Sequence, residues 1–293
     1  MANLKEIRNR ITSISSTMQI TSAMKMVSAA KLRKAQNAVT QMRPYANKLQ
    51  EILSNVSSTL DSSEGVYSEE REVKNVLLVS ITSNRGLCGG FNNNVIKTVK
   101  RLAQTEYSDC NVSVLSIGKK SNDSFASTGL GVNETLFSEN VEEIWDDLTF
   151  ENSSKIAEKL MAQFTEGKQD KVVIVYNQFK NAAVQIVQEE QFLPVLPPLI
   201  EEGEKANTAD YIYEPTKESI VEDLIPKSLK TQLFKGLLDS LASEHGARMT
   251  AMHKATDNAK ELQDDLKLVY NKARQAAITN EILEIVAGAE ALG

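Results

Sequence analysis

The strongest constraint on the fold is a run of residues near the N-terminus that predicts one very long helix. Residues 4–56 contain no glycine and a single proline, Pro44. Apolar side chains recur at alternating spacings of three and four, the heptad pattern of a coiled coil. They are Leu4, Ile7, Ile11, Ile14 and Met18, then Leu32, Ala35, Val39, Met42, Ala46, Leu49, Leu53 and Val56. We expect Pro44 to kink the helix locally.

A polar segment interrupts this heptad pattern. The frame there holds Thr21, Lys25 and Ser28, which are poor core residues. A shifted apolar stripe is available beside them at Ile20, Met24 and Val27. Two interpretations stay open. The break is either a place where a partner grips the helix from outside, or a stutter in the repeat without a function.

The C-terminal part of the chain predicts a second long helix. Pro226 suits its first turn, and no proline follows. Gly236 and Gly246 each cost about 1 kcal/mol relative to alanine, but they let another element approach closely. The three-four spacing continues at Met252, Ala255, Ala259, Leu262, Leu266, Val269, Ala273 and Ala276, and a second stripe follows at Ile278, Ile282, Ile285 and Ala289.

Each of these helices needs a partner along its length, because neither is apolar on all sides. At 1.5 Å per residue they span roughly 80 Å and 95 Å. The simplest arrangement pairs them antiparallel, with the middle of the chain inserted at one end and the C-terminal helix overhanging by about ten residues. An exposed apolar overhang predicts a sleeve made by another chain. Its residues are Ile282, Ile285, Val286, Ala287, Gly288, Ala289, Ala291 and Leu292.

The middle of the chain predicts an α/β domain. Apolar runs typical of buried strands occur at 76–81, 112–117, 172–176 and 183–187. Helical segments lie between them at 93–102, about 120–127 and 141–164. This alternation favours a mostly parallel sheet covered by helices on both faces. The expected fold class is therefore α/β, with a long antiparallel coiled coil of the terminal helices and an inserted Rossmann-like, three-layer domain.

Charge is distributed unevenly over the expected parts of the chain. These parts are an N-terminal coiled-coil helix at 1–57, an α/β globular domain at 58–216 and a C-terminal coiled-coil helix at 217–293. Their net charges are +7, −11 and −2. A basic segment on an acidic protein suggests a specific acidic partner, although a solvated helix face is the commoner explanation of a charge run. The overall net charge of −6 argues against a general nucleic-acid binder.

Composition also narrows the cellular setting. No run approaches the 18 apolar residues of a membrane span, and Met1–Glu6 has no apolar core. We therefore expect neither a membrane anchor nor a secretory signal. Cys88 and Cys110 are too few for a disulfide framework and suit a reducing compartment.

Motifs for catalysis or ligand binding are weak. The glycine-rich turn Arg85–Phe91 follows the first strand, where a phosphate-binding turn would lie, but its spacing is not G-x-G-x-x-G. Gly118–Ser121 has the tail of a P-loop without its first glycine. His245 and His253 lack a third metal ligand nearby, and Cys88 lacks a resolving cysteine. We expect no catalytic residue, no metal and no cofactor.

Three separated segments resemble one known family. They are Ile20–Ala35 (ITSAMKMVSAAKLRKA), Arg85–Gly90 (RGLCGG) and Leu268–Thr279 (LVYNKARQAAIT). In sequence, order and spacing, they are similar to the bacterial ATP synthase gamma subunit, and the resemblance extends from end to end of the chain.

The resemblance implies a function that composition alone could not. It implies the non-catalytic central rotor shaft of a proton-translocating F-type ATP synthase, which transmits torque between the membrane c ring and the catalytic alpha-beta hexamer. Its implied partners are the alpha and beta subunits, the epsilon subunit and the c ring. Nucleic acid is not a partner, and the membrane is contacted only through the c ring. The implied location is peripheral, on the cytoplasmic face of the bacterial inner membrane.

The resemblance also implies residue roles. A beta-subunit loop contacts Arg274 and Gln275, and polar positions tied to coupling match Arg248, Thr279, Glu281 and Glu284. The foot near the c ring and epsilon matches Asp210, Tyr211 and Tyr213. The glycine-rich turn comprises Gly86, Cys88, Gly89 and Gly90.

Two further surfaces come from the residues themselves. A mid-shaft basic band comprises Lys25, Lys31, Arg33 and Lys34. The resemblance to the gamma family implies that an acidic loop of the beta subunit meets this band. A tip bearing, suited to an apolar sleeve, comprises Ile282, Ile285, Val286 and Leu292.

Two other functions stay open at this stage. An α/β enzyme with a helical dimerisation hairpin would bind phosphate at the turn 86–90. A coiled-coil adaptor would bind nucleic acid through the basic residues of 5–48, against the acidic character of the middle segment.

Overall fold

The computed structural model describes residues 4–57, 66–69, 71–137, 140–195 and 217–290. Within it the chain forms two compact units. One comprises residues 1–29 and 248–293, and the other comprises residues 30–247.

Six helices and four strands make up the described residues. In chain order they are α1 (Leu4–Ser57), β1 (Asn75–Ile81), α2 (Phe91–Gln104), β2 (Asn111–Ile117), α3 (Lys119–Phe125), α4 (Asn133–Leu136), α5 (Phe150–Thr165), β3 (Lys171–Phe179), β4 (Gln185–Leu193) and α6 (Lys217–Glu290). The two terminal helices are 54 and 74 residues long. The first continues through Pro44, and the kink expected there stays a prediction.

The four strands form one sheet in the order β2-β1-β3-β4. β1 pairs in parallel with both β2 and β3, and β4 pairs antiparallel with β3. β1 is apolar on both faces because helices cover both sides of the sheet. The mostly parallel sheet confirms the expected strands, although the fourth runs over Gln185–Leu193 rather than 183–187.

Two apolar layers sandwich this sheet. On one side α5 and α6 cover alternate residues of the central strands, through Leu77, Val79, Ile174, Tyr176, Leu160, Phe164, Leu229, Leu233 and Leu237. On the other side α2 and α3 cover the intervening residues, through Val76, Leu78, Val173, Val175, Val95, Val99, Leu102 and Phe125. The period-two alternation of the strands assigns each side chain to one layer. The three-layer α/β expectation is confirmed.

Two helix boundaries differ from expectation. Residues 141–164 are not one helix, because a 3-10 turn ends at Trp145 and α5 begins only at Phe150. There the Thr149 hydroxyl accepts the Asn152 backbone N–H at 3.3 Å and caps the new helix. The second difference is Pro226, which lies well inside α6 rather than in its first turn. Burial of the α6 face on the sheet outweighs the local cost of this proline.

The seam of α1 stays in one heptad frame through its polar break. Thr21 is 9% exposed and Ser28 3%, whereas Ile20 and Val27 are 60% and 57% exposed. Of the alternative stripe that the sequence offers at 20, 24 and 27, only Met24 is half-buried, so the chain does not use that stripe as its seam. Both hydroxyls are satisfied by their own helix, because Thr21 donates to the Met18 carbonyl and Ser28 to the Met24 carbonyl.

The seam of α6 follows a different frame from the one expected. Met252, Ala255, Ala259, Leu266 and Ala273 are buried or half-buried as predicted. Ala276 is exposed, and Leu262 and Val269 are 51% and 48% exposed, so these three positions are wrong. Gln263 and Tyr270, one position after Leu262 and Val269, are half-buried in their place, and Thr256 is half-buried beside Ala255.

A buried carboxyl lies where α6 crosses the sheet. Asp239 is 2% exposed, and its Oδ1 atom has no hydrogen-bond partner among the described residues. Burial raises the pKa of Asp239, while Arg43 and Lys235 act in the opposite direction. The folded chain therefore favours the neutral carboxyl more than the unfolded chain does.

We expect Asp239→Asn to stabilise the folded chain at neutral pH and to lose that advantage on acidification. A raised carboxyl pKa makes folding less favourable above the ordinary value of about 3.9, so the penalty that the amide removes grows as pH rises. Urea unfolding of the full chain between about pH 4.5 and 7.5 measures the difference. Asp223→Asn, at an exposed position of the same helix, is the control. Wild type more stable than Asp239→Asn at the upper pH would contradict the prediction.

Candidate functional site

The last turns of α6 form an exposed apolar surface. From Arg274 to Glu290 every side chain is exposed. The large apolar ones are Ile278 (49%), Ile282 (55%), Leu283 (59%), Ile285 (66%) and Val286 (52%). This segment is longer than the expected overhang of about ten residues, because the pairing with α1 already ends near Tyr270. An apolar surface of this kind marks a contact site for another molecule.

Polar residues lie between the apolar residues of the same segment. Arg274, Gln275, Glu281 and Glu284 are exposed, and the Thr279 hydroxyl donates to the Gln275 carbonyl at 2.9 Å. These residues share about three turns of helix, but at 100° per residue they spread over roughly 220° of its circumference and do not form one face.

Arg248 does not join this group. It is 8% exposed and lies 26 residues before Arg274, roughly 39 Å along the same helix. Arg248 is buried in the protein, whereas the residues of the tip are exposed.

The basic residues of α1 also differ among themselves. Lys25 occupies a seam position of the heptad frame and is half-buried. Lys31, Arg33 and Lys34 are exposed and lie within one turn. The exposed three carry a local charge of +3 that a negatively charged surface can approach without desolvating a buried ion.

The glycine-rich turn is held together by its own side chains. Cys88 is 2% exposed, and Asn92 donates from its Nδ2 atom to the Cys88 sulfur at 3.2 Å. The Asn92 Oδ1 atom accepts the Ser83 backbone N–H at 2.9 Å. Gly89 has a φ of +60°, which glycine adopts without strain. The hydrogen bonds and backbone conformation of the turn therefore explain why Cys88, Gly89 and Asn92 stand there, without a bound ligand.

Gly118 is likewise explained by packing. It has a φ of +126°, and a Cβ atom there would lie 2.1 Å from the Thr82 carbonyl oxygen. The following Ser121 hydroxyl donates to the Ser80 hydroxyl at 2.8 Å inside the sheet layer. The P-loop-like tail is thus a turn after β2 whose backbone passes close to the backbone at the end of β1.

A basic cleft was not identified from the sequence. It has a volume of about 460 Å³ and lies between α2 and α3. Lys97, Lys100 and Lys120 line it together with Asp123, which pairs with Lys120 at 3.4 Å. Lys97 and Lys100 lie one turn apart on α2, whereas Lys120 follows 20 residues later and meets them only because α2 and α3 cover the same face of the sheet. Helical periodicity alone therefore does not predict the cleft.

Several expected site residues lie outside the described part of the chain. They are Asp210, Tyr211, Tyr213 and Leu292. In the described part, no helix is long and apolar enough to cross a membrane. The same residues hold no cluster of three or more His, Cys, Asp or Glu side chains that could bind a metal ion.

Asn92→Leu is expected to lower the free energy of unfolding by about 2 kcal/mol, because the buried Ser83 N–H loses its acceptor. Urea unfolding of the full chain measures the loss. Asn93→Leu, one residue along and exposed, is the matched control and should change stability far less. Equal effects of the two substitutions would show that the amide does not hold the turn.

Comparison with known proteins identifies the family. A family model described as ATP synthase matches residues 3–292. Two proteins named ATP synthase gamma chain, from Christiangramia forsetii and Flavobacterium psychrophilum, are each 64% identical over 100% of this chain and 99% of their own length.

Solved structures agree at the level of the fold. A chain in a cryo-EM structure of the central stalk and c ring of the Tetrahymena thermophila mitochondrial ATP synthase is 27% identical, with a TM-score of 0.56 over 80% of this chain and 99% of that one. A chain in the rotor of the Euglena gracilis mitochondrial ATP synthase is 20% identical, with a TM-score of 0.61 over 94% and 98%. The chain therefore belongs to the ATP synthase gamma chain family.

Proposed function

We propose that the chain is the central rotor shaft of a proton-translocating F-type ATP synthase. It transmits torque between the membrane c ring and the catalytic alpha-beta hexamer, and so couples proton flow to ATP synthesis or hydrolysis. The observation that carries the proposal is the exposed apolar end of α6, which suits a helix that turns inside a sleeve. The whole-length identity to proteins named ATP synthase gamma chain supports the same function.

The proposed division of labour follows the three parts of the chain. Residues 1–57 and 217–293 form the coiled-coil shaft, and residues 58–216 form the foot that meets the c ring and the epsilon subunit. Asp210, Tyr211 and Tyr213 belong to this foot by resemblance. The chain itself catalyses no step, because ATP is made and hydrolysed on the beta subunits.

The tip acts as a bearing. An apolar side chain makes no directional bond, so a rotating Ile282 or Ile285 passes from one sleeve position to the next with little change in energy. Polar residues at the same level, Arg274, Gln275, Thr279, Glu281 and Glu284, make the angular contacts by which a beta loop follows the shaft. Arg248 contributes from a separate, buried position.

The mid-shaft basic band makes a reversible electrostatic contact with an acidic beta loop. Exposed ion pairs are worth about 0–1 kcal/mol each, which is weak enough to be broken at every step of rotation. A tightly buried pair would instead hold the shaft in one orientation. The exposure of Lys31, Arg33 and Lys34 fits this requirement. Such a shaft works peripherally, at the cytoplasmic face of the bacterial inner membrane.

Co-expression with the alpha and beta subunits of the same organism tests the proposal. Mass measurement of the purified complex should give one copy of this chain per alpha-beta hexamer, and the complex should hydrolyse ATP. The free chain should bind no nucleotide. A chain that ignores alpha and beta yet binds ATP would contradict the shaft and would direct attention to the glycine-rich turn at 86–90.

Ile282→Asp and Ile285→Asp are expected to reduce ATPase activity or complex yield by about tenfold, because each puts a carboxylate against an apolar sleeve. Lys34→Ala should have a smaller effect, since it removes one exposed charge. Ile282→Leu controls for loss of the native side chain alone. ATPase assays on purified complexes measure the ranking, and equal values for the aspartate variants and Lys34→Ala would refute the bearing.

A further inference from the structure

The α6 helix has two frames in which it could pack on α1. An apolar frame would place Leu262 and Val269 in the seam, and in the observed frame Gln263 and Tyr270 are half-buried there instead. Ala255 and Thr256 are both half-buried in the observed frame. Both frames share Ala259, Leu266 and Ala273. Successive residues are 100° apart on a helix, so a roll of roughly 50° converts one frame into the other.

The observed frame is the less apolar of the two. It leaves Leu262 and Val269 about half exposed, at 51% and 48%. Apolar burial alone would favour the opposite choice, because both side chains would gain cover from α1. Some other interaction must hold α6 in its frame.

Two polar contacts between the helices exist in the observed frame. The hydroxyl oxygens of Thr21 and Thr256 lie 2.8 Å apart within the seam, and Thr256 donates to Thr21 when Thr21 donates to the Met18 carbonyl. Near the end of the pairing, Arg8 donates from Nη2 to the Tyr270 hydroxyl at 2.7 Å, and its guanidinium lies 5.7 Å from the ring centre. Both contacts use α6 residues that would turn away from α1 in the apolar frame.

We propose that Thr21 with Thr256 and Arg8 with Tyr270 are positioning residues that set the rotational frame of α6 on α1. A polar residue at a coiled-coil seam selects one arrangement at a cost in stability, and here it selects between two rolls of one helix. The polar break in the α1 heptads is therefore part of a frame-setting contact rather than a stutter.

The rotational frame of α6 determines which of its apolar side chains face away from α1. Leu262, Val269, Ala276 and Leu283 are exposed and seven residues apart, so they form one apolar ridge that continues into the tip. In the apolar frame, Leu262 and Val269 of this ridge would instead face α1 in the seam. The use of the ridge by a surrounding hexamer rests on the proposed function, whereas the frame itself does not.

Thiol labelling of the purified full-length chain tests the frame without changing Leu262 or Val269. Asn258→Cys and Gln263→Cys are introduced one at a time. Asn258 is exposed in the observed frame and moves toward α1 on rolling, while Gln263 is half-buried and moves outward. Maleimide labelling rates are corrected for the chain without the added cysteine, since Cys88 and Cys110 are present.

The thiol at 258 should react faster than the thiol at 263 in the parent chain. In the double variant Thr21→Val with Tyr270→Phe, the two rates should become nearly equal, because positions 258 and 263 lie at similar angles on either side of the seam in the apolar frame. The ratio of the two rates should therefore fall by a factor on the order of ten. Thr21→Ser keeps a hydroxyl and should keep the parent ratio. Circular dichroism confirms that helix content is unchanged.

An unchanged ratio in the double variant would overturn the proposal, because the frame would then be set by packing. A parallel rise of both rates would also overturn it, because the helices would have separated rather than rolled. Neither result bears on whether the chain assembles with alpha and beta, so failure of the frame and failure of the shaft function are distinguishable.

Discussion

The structure depends on one constraint: each of two long amphipathic helices has an apolar face that must be buried against another element. Neither α1 nor α6 is stable alone over 54 and 74 residues, because most helical stability in proteins comes from packing. Part of that packing is supplied by the sheet, where Leu229, Leu233 and Leu237 join the core of the α/β unit. The rest is supplied by helix on helix, through a seam whose α1 side is apolar except at Thr21, Lys25 and Ser28.

The proposed function depends on the end of α6, where α1 no longer covers the helix. Beyond Ala273 the α6 helix has no partner within the described chain, and its apolar side chains are left for another molecule. A shaft must combine a stiff body with an end that slides, and apolar contact without directional bonds meets the second requirement. In the proposed function, the exposed basic side chains of α1 supply contacts weak enough to be made and broken repeatedly.

Sequence periodicity predicted the elements well and the helix phases less well. The buried strands and the α1 seam follow from apolar spacing, because burial dominates there. The α6 seam was misplaced at Leu262 and Val269, since a rule that counts apolar residues cannot see that Thr21 meets Thr256 across 235 positions. The tip segment was found because an overhang follows from helix length. The basic cleft between α2 and α3 was missed because Lys120 meets the two lysines of α2 only through the tertiary fold.

Direct observation of rotation tests the central claim. A bead attached through Ser108→Cys, at an exposed turn after α2, would be followed in a complex immobilised by its alpha and beta subunits. Turning of the bead in one direction on addition of ATP, arrested when ATP is removed, is the result that a rotor shaft predicts. A bead that stays fixed while the same complex hydrolyses ATP would show that this chain is a static component and not the shaft.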